Sequence, residues 1–222
     1  MSGDLYFRYP VLDLTFWQRF LGRIGGAIIN IVLLVLAAVA LLSNIPGLMV
    51  LGVPAAVYLV LRFGGRWVGG WRSRSRFKGG NLVEFVTPRA KKMILSAYDR
   101  SAFLGGSFAL HLTRELVEEP IVVRVLRGLG INRDELVSKL EGYLLEERGV
   151  RETNIWRQAR VEEIVVRAFI LQDEKKDPIT PFHLFMALPY ADNERVRRLF
   201  VLFGLGADSL ERAARYHALI SA

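Results

Sequence analysis

The chain contains no cysteine among its 222 residues. Disulfide bonds, cysteine metal sites and thiol nucleophiles are therefore excluded. Histidine is also scarce, because only His111, His183 and His217 occur, and this leaves few ligands for a catalytic metal. No Gly-Lys dipeptide occurs, although the phosphate-binding loop of an ATPase requires one. We therefore predict a non-enzymatic chain with no metal site and no cofactor.

Acidic residues are scarce in the first third of the chain. Residues 1–78 contain nine Lys or Arg and two acidic residues, whereas residues 79–222 contain twenty-one Lys or Arg and twenty acidic residues. The net charges of these two parts are thus +7 and +1. A nucleic-acid-binding protein carries its basic charge on the folded domain that contacts phosphates. Because the second part is nearly neutral, we expect no nucleic-acid partner.

Charge is absent from two long apolar stretches, residues 24–42 and 48–61. Crossing the hydrocarbon core of a bilayer takes about 20 helical residues. The first stretch meets this length, and the second approaches it when it starts at residue 45. We predict a membrane-anchoring segment, residues 1–63, with two transmembrane helices at about 24–42 and 45–61. A re-entrant loop is the main alternative; a signal peptide fits poorly because a second apolar stretch follows the first.

Basic residues flank the predicted hairpin on both sides. Arg8, Arg19 and Arg23 precede it, and five arginines and Lys78 follow it between residues 62 and 78. Positively charged flanks stay in the cytoplasm. We therefore predict a multi-pass protein of the cell (inner) membrane, with both termini and the folded domain in the cytoplasm. Residues 64–84, rich in glycine and arginine, are predicted to be a linker.

Residues 85–222 show helical periodicity and no strand alternation, which predicts an all-α domain. Thr87-Pro88 provides an N-cap followed by proline at the first helical position, a strong helix start. The order of helix starts and stops then recurs at a period near 72–74 residues: His111 aligns with His183, and Gly130 lies close to Gly204. This favours a duplicated four-helix unit, with repeats at about 87–148 and 157–221.

The second copy carries the most distinctive motif. Its sequence, Pro-Ile-Thr-Pro-Phe-His-Leu over residues 178–184, includes Thr180, Pro181 and His183. This motif resembles the Ile-Gly-Thr-Glu-His-Leu signature of the Clp N-terminal domain, and Thr87-Pro88 resembles the opening of that domain's repeat. The resemblance covers about residues 85–221. It implies an all-α pseudo-dimer of two four-helix repeats, a domain that receives substrates and adaptors for an AAA+ unfoldase and has no activity of its own.

Two residues depart from the resemblance. Relatives that bind phosphorylated arginine have a glutamate just before each signature histidine, whereas this chain has Leu110 and Phe182. An apolar side chain cannot pair with a guanidinium group, so phosphoarginine binding is not expected. Leu110 and Phe182 are either core residues or apolar peptide-binding patches, and we take them as candidate protein-binding residues. His111 and His183 are expected to have a shared structural role near a helix start.

The sequence therefore predicts a membrane-anchored module that recruits proteins for quality control or proteolysis. Its expected partners are the lipid bilayer and unfolded or tagged substrates, adaptor proteins or Clp ATPase subunits. Two alternatives remain open: the chain is the N-terminal part of a longer membrane-bound Clp-type ATPase, or it is a membrane scaffold unrelated to proteolysis.

Overall fold

The computed structural model describes residues 5–42, 50, 52–54, 56–59, 80–172, 177–206, 208–210 and 212. These residues form helices and three isolated β-bridges, and the described part contains no β-strand, which confirms the all-α class. The chain divides into two compact units. Unit 1 contains Met1–Asp13 and Arg76–Ala222, and unit 2 contains Leu14–Ser75.

Nine α-helices have bounds within the described residues. They are α1 (Pro10–Asp13), α2 (Phe16–Leu42), α3 (Pro88–Leu104), α4 (Phe108–Leu116), α5 (Pro120–Gly128), α6 (Arg133–Glu146), α7 (Asn154–Ile170), α8 (Pro181–Ala187) and α9 (Glu194–Leu202). Two short 3₁₀ helices cover Leu82–Phe85 and Leu188–Tyr190. The second predicted repeat therefore starts with a helix at Asn154, three residues before the predicted boundary.

Helix α2 lies in unit 2, and its sequence from Ile24 to Leu42 contains no charged residue. Its stretch Trp17–Val39 has a mean hydropathy of 2.2, is 6% buried, and is the one helix in the described ranges that is long and apolar enough to cross a bilayer. A helix that is apolar all round needs an apolar surrounding. Of the second predicted span, residues 50, 52–54 and 56–59 are described and helical. The remainder of that span, like most of the predicted linker, lies outside the described residues.

Unit 1 is organised around α4. All six residues from Phe108 to Thr113 are buried, because α3, α6, α7, α8 and α9 all pack against this short helix. The core continues from α4 into Tyr98, Leu126, Leu140 and Phe185, each with an exposed fraction of 0%. Of the nine residues of α4, Arg114 and Glu115 are partly exposed and the other seven are buried.

Helices in the two halves of unit 1 share lengths and burial patterns. Helices α3 and α7 both have 17 residues, and α5 and α9 both have nine. Gly130 and Gly204 follow α5 and α9 with φ angles of +72° and +64°, a left-handed conformation that favours glycine. The buried positions of each pair also have the same spacing. In α3 they include Ala90, Ile94, Ala97 and Tyr98, and in α7 they include Arg157, Val161, Ile164 and Val165. In α5 they are Val122, Val125 and Leu126, and in α9 they are Val196, Leu199 and Phe200.

The N-terminal residues 5–13, which we call the strap, pack on α7 and on the 3₁₀ helix Leu82–Phe85. Phe7 and Leu12 are buried, with exposed fractions of 6% and 3%. The Arg8 backbone N–H donates to Asn81 Oδ1 at 3.1 Å, and Asn81 Nδ2 donates to the Arg8 carbonyl at 2.8 Å. This corrects two predicted boundaries. The strap belongs to unit 1 and not to a membrane segment that starts at residue 1, and residues 80–84 fold against the strap instead of forming a linker.

Candidate functional site

Leu110 and Phe182, the two candidate protein-binding residues, lie in the core of unit 1. Leu110 has an exposed fraction of 0% and Phe182 of 8%. The interpretation of these side chains as apolar surface patches is therefore wrong, and the alternative interpretation as core residues is correct. The physical reason is the central position of α4, whose first turn is buried on every side, together with the packing of α8 against α7 and α4.

His111 holds the turn between α3 and α4. Its Nε2 lies 2.8 Å from the Gly105 carbonyl oxygen, so the ring donates a hydrogen bond to the backbone. Burial is the main cause that lowers the pKa of His111 below its ordinary value. Gly105 has a φ of +80°, and a Cβ at this position would lie 2.8 Å from the backbone nitrogen of Gly149. His111 and Gly105 therefore close a tight connection that no larger residue at position 105 would fit.

His183 also contacts the start of its own helix, but through the other ring nitrogen. The Thr180 backbone N–H donates to His183 Nδ1 at 3.1 Å, and Gln172 Nε2 lies 3.1 Å from the same atom. His183 Nδ1 is thus an acceptor, whereas His111 Nε2 is a donor. The helix starts are also offset by one residue, since His111 is four residues after its N-cap Ser107 and His183 is three after Thr180. The two histidines both act structurally at helix starts, by different contacts.

The remaining predicted signature residues cap helices. The Thr87 hydroxyl accepts a hydrogen bond from the Ala90 backbone N–H at 3.3 Å, and Pro88 is the first residue of α3. Thr180 and Pro181 have the same positions at the start of α8. These residues position the backbone at the starts of their helices.

Two carboxylates occupy the N-terminus of α4. Glu147 Oε2 accepts the Ser107 N–H at 2.8 Å, and Glu152 Oε2 accepts the Phe108 N–H at 3.1 Å. The N-terminus of a helix favours negative charge. Burial is nevertheless the main cause that raises the pKa of Glu152. Both donors are therefore satisfied by the chain itself, so this helix start is not free to bind an external anion.

An open cleft between the C-terminal ends of α3 and α6, which we call the α3/α6 cleft, has a volume of ≈ 430 Å³. Its apolar lining residues are Leu104, Leu144 and Leu145. Its polar lining consists of His111, Glu141 and three arginines, Arg100, Arg114 and Arg148. Leu104 and Leu145 are 50% and 66% exposed. Phe103 and Val150, which are near the lining residues in sequence, are 63% and 62% exposed. The segments that follow α3 and α6 are joined, because the Gly106 N–H donates to the Val150 carbonyl at 2.8 Å. The cleft is therefore a fixed apolar surface open to solvent.

The sequence contains one signal for this cleft, apart from the motifs discussed above. In α6 the buried residues are Leu136 and Leu140, so helical spacing places Leu144 on the same face and Leu145 beside it. Leu145 is a large apolar residue off the core face. In α3, Phe103 is likewise off the core face, because it follows the buried Ser101 by two residues. Leu104 follows Ser101 by three residues and continues the core face to the exposed end of the helix. Apolar residues that miss the core face of their helix are candidates for a binding surface.

Within the described ranges, no group of three or more His, Asp or Glu side chains is arranged to hold a metal ion. The α3/α6 cleft is thus the strongest candidate site in unit 1, and its chemistry suits apolar contacts with a basic rim. Comparison with known proteins adds no family to this description: the chain matches no protein-family model and no curated protein.

Proposed function

We propose that this chain is a membrane-anchored, non-catalytic protein-binding module whose helical unit is a duplicated domain of the Clp N-terminal type. The matched helix lengths, glycine caps and burial spacings of α3 with α7 and of α5 with α9 support the duplication. The offset between the histidine positions indicates that the two copies differ at the start of their second helix. The expected clients are unfolded or tagged proteins, adaptors or Clp-type ATPase subunits.

The points at which unit 2 leaves and rejoins unit 1 support an anchor whose two ends lie on the same side of the bilayer. The strap precedes unit 2 and Asn81 follows it, yet Arg8 and Asn81 exchange two hydrogen bonds. A chain segment that begins and ends on one folded unit crosses a bilayer an even number of times or dips into one leaflet. The second apolar stretch, residues 48–61, favours two crossings over a dip. Basic flanks favour the cytoplasmic side for unit 1.

The exposed apolar surface of the α3/α6 cleft is the observation that carries the binding function. Leu104 and Leu145 line the cleft and are each at least half exposed, although a soluble helical domain normally buries such side chains. An extended apolar segment of an unfolded protein would cover them. The exposed Arg148 at the rim favours a segment with an acidic flank. Burying one large apolar side chain fully contributes about 1.5–3 kcal/mol.

The test uses the full chain in lipid nanodiscs and a labelled, permanently unfolded model protein. The Leu104→Ser, Leu145→Ser double variant removes two apolar contacts, so we expect at least about tenfold weaker binding by fluorescence anisotropy. The control is the Val201→Ser, Leu202→Ser double variant on α9, where the side chains are 79% and 61% exposed. Unchanged binding by the cleft variant, or an equal loss in both variants, would show that the cleft is not the binding surface.

A further inference from the structure

Two large apolar side chains at the start of α7 are exposed. Ile155 has an exposed fraction of 79% and Trp156 of 63%. This helical turn is fixed, because the Thr153 hydroxyl accepts the Trp156 backbone N–H. The buried face of α7 starts at Arg157 and continues through Val161. Ile155 and Trp156 therefore lie off the core face and form what we call the Ile155–Trp156 surface.

This surface lies beside the point where the chain leaves unit 1. Ile155 lines a groove of ≈ 450 Å³ together with the strap residues Leu12 and Asp13. On the same helix, Gln158 Nε2 donates to Asp13 Oδ1 at 3.0 Å and to the Leu12 carbonyl at 3.3 Å. Asp13 is the last strap residue of unit 1, and the next residue belongs to unit 2.

The connection from this point to the apolar helix is short. Trp17, the first residue of the candidate membrane span, follows Asp13 by four residues, so their Cα atoms are at most about 15 Å apart. The second connection starts at the other end of the strap, where the Gly80 carbonyl accepts the Tyr6 N–H at 3.3 Å. The two described points at which the chain leaves and re-enters unit 1, Asp13 and Gly80, thus lie at the two ends of one strap.

We propose that the Ile155–Trp156 surface inserts into the interfacial region of the bilayer that anchors the chain. Tryptophan prefers this region because its ring is apolar and its N–H is polar. Exposed Arg8 lines the same groove as Ile155, and exposed Arg151 precedes Ile155 by four residues, so both suit anionic lipid headgroups. The carboxylates of Asp13 and Glu162 also line this groove. The inference rests on the proposed membrane anchoring and adds an orientation: the strap and the start of α7 face the lipid.

The absence of cysteine permits a direct test with single introduced thiols. The full chain carrying Ile155→Cys, labelled with an environment-sensitive fluorophore, is reconstituted into vesicles that contain anionic and nitroxide-bearing lipids. Val201→Cys on α9 is the matched control, because both native side chains are 79% exposed and the described residues include no hydrogen bond from Val201 to the strap. Trp156→Cys and Leu202→Cys, 63% and 61% exposed, form a second matched pair.

We expect the labels at positions 155 and 156 to emit at shorter wavelength and to be quenched at least about twofold more by the nitroxide lipids than the α9 labels. Vesicle flotation of the same samples tests the anchor separately. If the chain floats with the vesicles but the labels at all four positions behave alike, the proposed insertion of the Ile155–Trp156 surface is wrong and the membrane anchor still stands. A chain that does not float overturns both proposals.

Discussion

The Phe108 backbone N–H donates to the Glu152 side chain at 3.1 Å, although 44 residues separate them. The neighbouring Ser107 N–H donates to Glu147, and the Ser107 hydroxyl accepts from Asn193 Nδ2 at 2.9 Å. The start of the central helix is therefore tied to the end of α6, to the segment before α7 and to the start of α9. The hydrogen bonds from Phe108 to Glu152 and from Asn193 to Ser107 thus join the two halves of unit 1.

The Glu152 contact predicts a pH dependence of stability. Burial raises the pKa of Glu152, so the folded chain holds the proton more tightly than the unfolded chain. The contribution of Glu152 to the unfolding free energy is therefore largest below the ordinary glutamate pKa of about 4.3 and falls as pH rises through the raised value. The Glu152→Gln variant lacks this dependence and keeps an oxygen that can accept the Phe108 N–H. We expect its stability relative to the wild type to increase between about pH 4 and 7.

Urea unfolding of the full chain in detergent micelles, followed by circular dichroism at several pH values, measures this difference. Glu135→Gln, at an exposed position of α6, is the control for loss of one carboxylate. A relative stability of Glu152→Gln that falls with pH would mean that the charged carboxylate is favoured by the helix N-terminus more than it is penalised by burial.

The core position of Leu110 predicts a large loss of stability on truncation. Leu110→Ala removes buried methyl groups and leaves a cavity, at a cost of about 2–5 kcal/mol. Leu145→Ala, at a position 66% exposed, should change the unfolding free energy by less than about 0.5 kcal/mol. The same urea unfolding series compares the two variants. A fully stable Leu110→Ala variant that binds unfolded protein more weakly would restore the surface interpretation of this residue.

The proposed membrane topology predicts which positions react with an impermeant thiol reagent. Single cysteines at Ser2→Cys and Ser221→Cys should both be labelled only after the cells are permeabilised, because both flanks face the cytoplasm. Asn44→Cys, between the two apolar stretches, should be labelled in intact cells if the hairpin crosses twice. Protection of all three positions in intact cells would indicate a re-entrant loop, and labelling of Ser221→Cys in intact cells would contradict the topology.

The Asn81 side chain is expected to hold the strap on unit 1. It accepts hydrogen bonds from the Arg8 and Val83 N–H groups and donates to the Arg8 carbonyl. Asn81→Ala should destabilise unit 1 by about 1–3 kcal/mol and speed amide hydrogen exchange in residues 5–13. Asn132→Ala, which removes a cap contact with Asp134 at 3.0 Å within one helix, is the control and should leave exchange in the strap unchanged. Equal exchange in both variants would mean that Phe7 and Leu12 hold the strap without Asn81.

Helix starts and stops could be predicted from the sequence because they depend on local chemistry. Thr87-Pro88 begins a helix as expected, and Gly130 and Gly204 follow helix ends, since caps and left-handed glycines act over a few residues. The helical periodicity expected for residues 85–222 also agrees with the buried face of α7 at Val161, Ile164 and Val165. Arg157 was not predicted in the core, because its burial requires the Tyr98 ring, 5.0 Å from its guanidinium group, and the Glu152 carbonyl.

The sequence alone determined the all-α class, the long apolar helix and the absence of thiol chemistry, because composition, hydropathy and capping motifs are properties of short segments. Tertiary structure decided the rest. Leu110 is a core residue because five helices surround α4. The strap joins unit 1 because Arg8 meets Asn81 and Phe7 and Leu12 are buried. Leu145 is exposed because none of the described residues covers its side chain. These properties depend on contacts between residues far apart in the chain, which a periodic pattern along one helix does not encode.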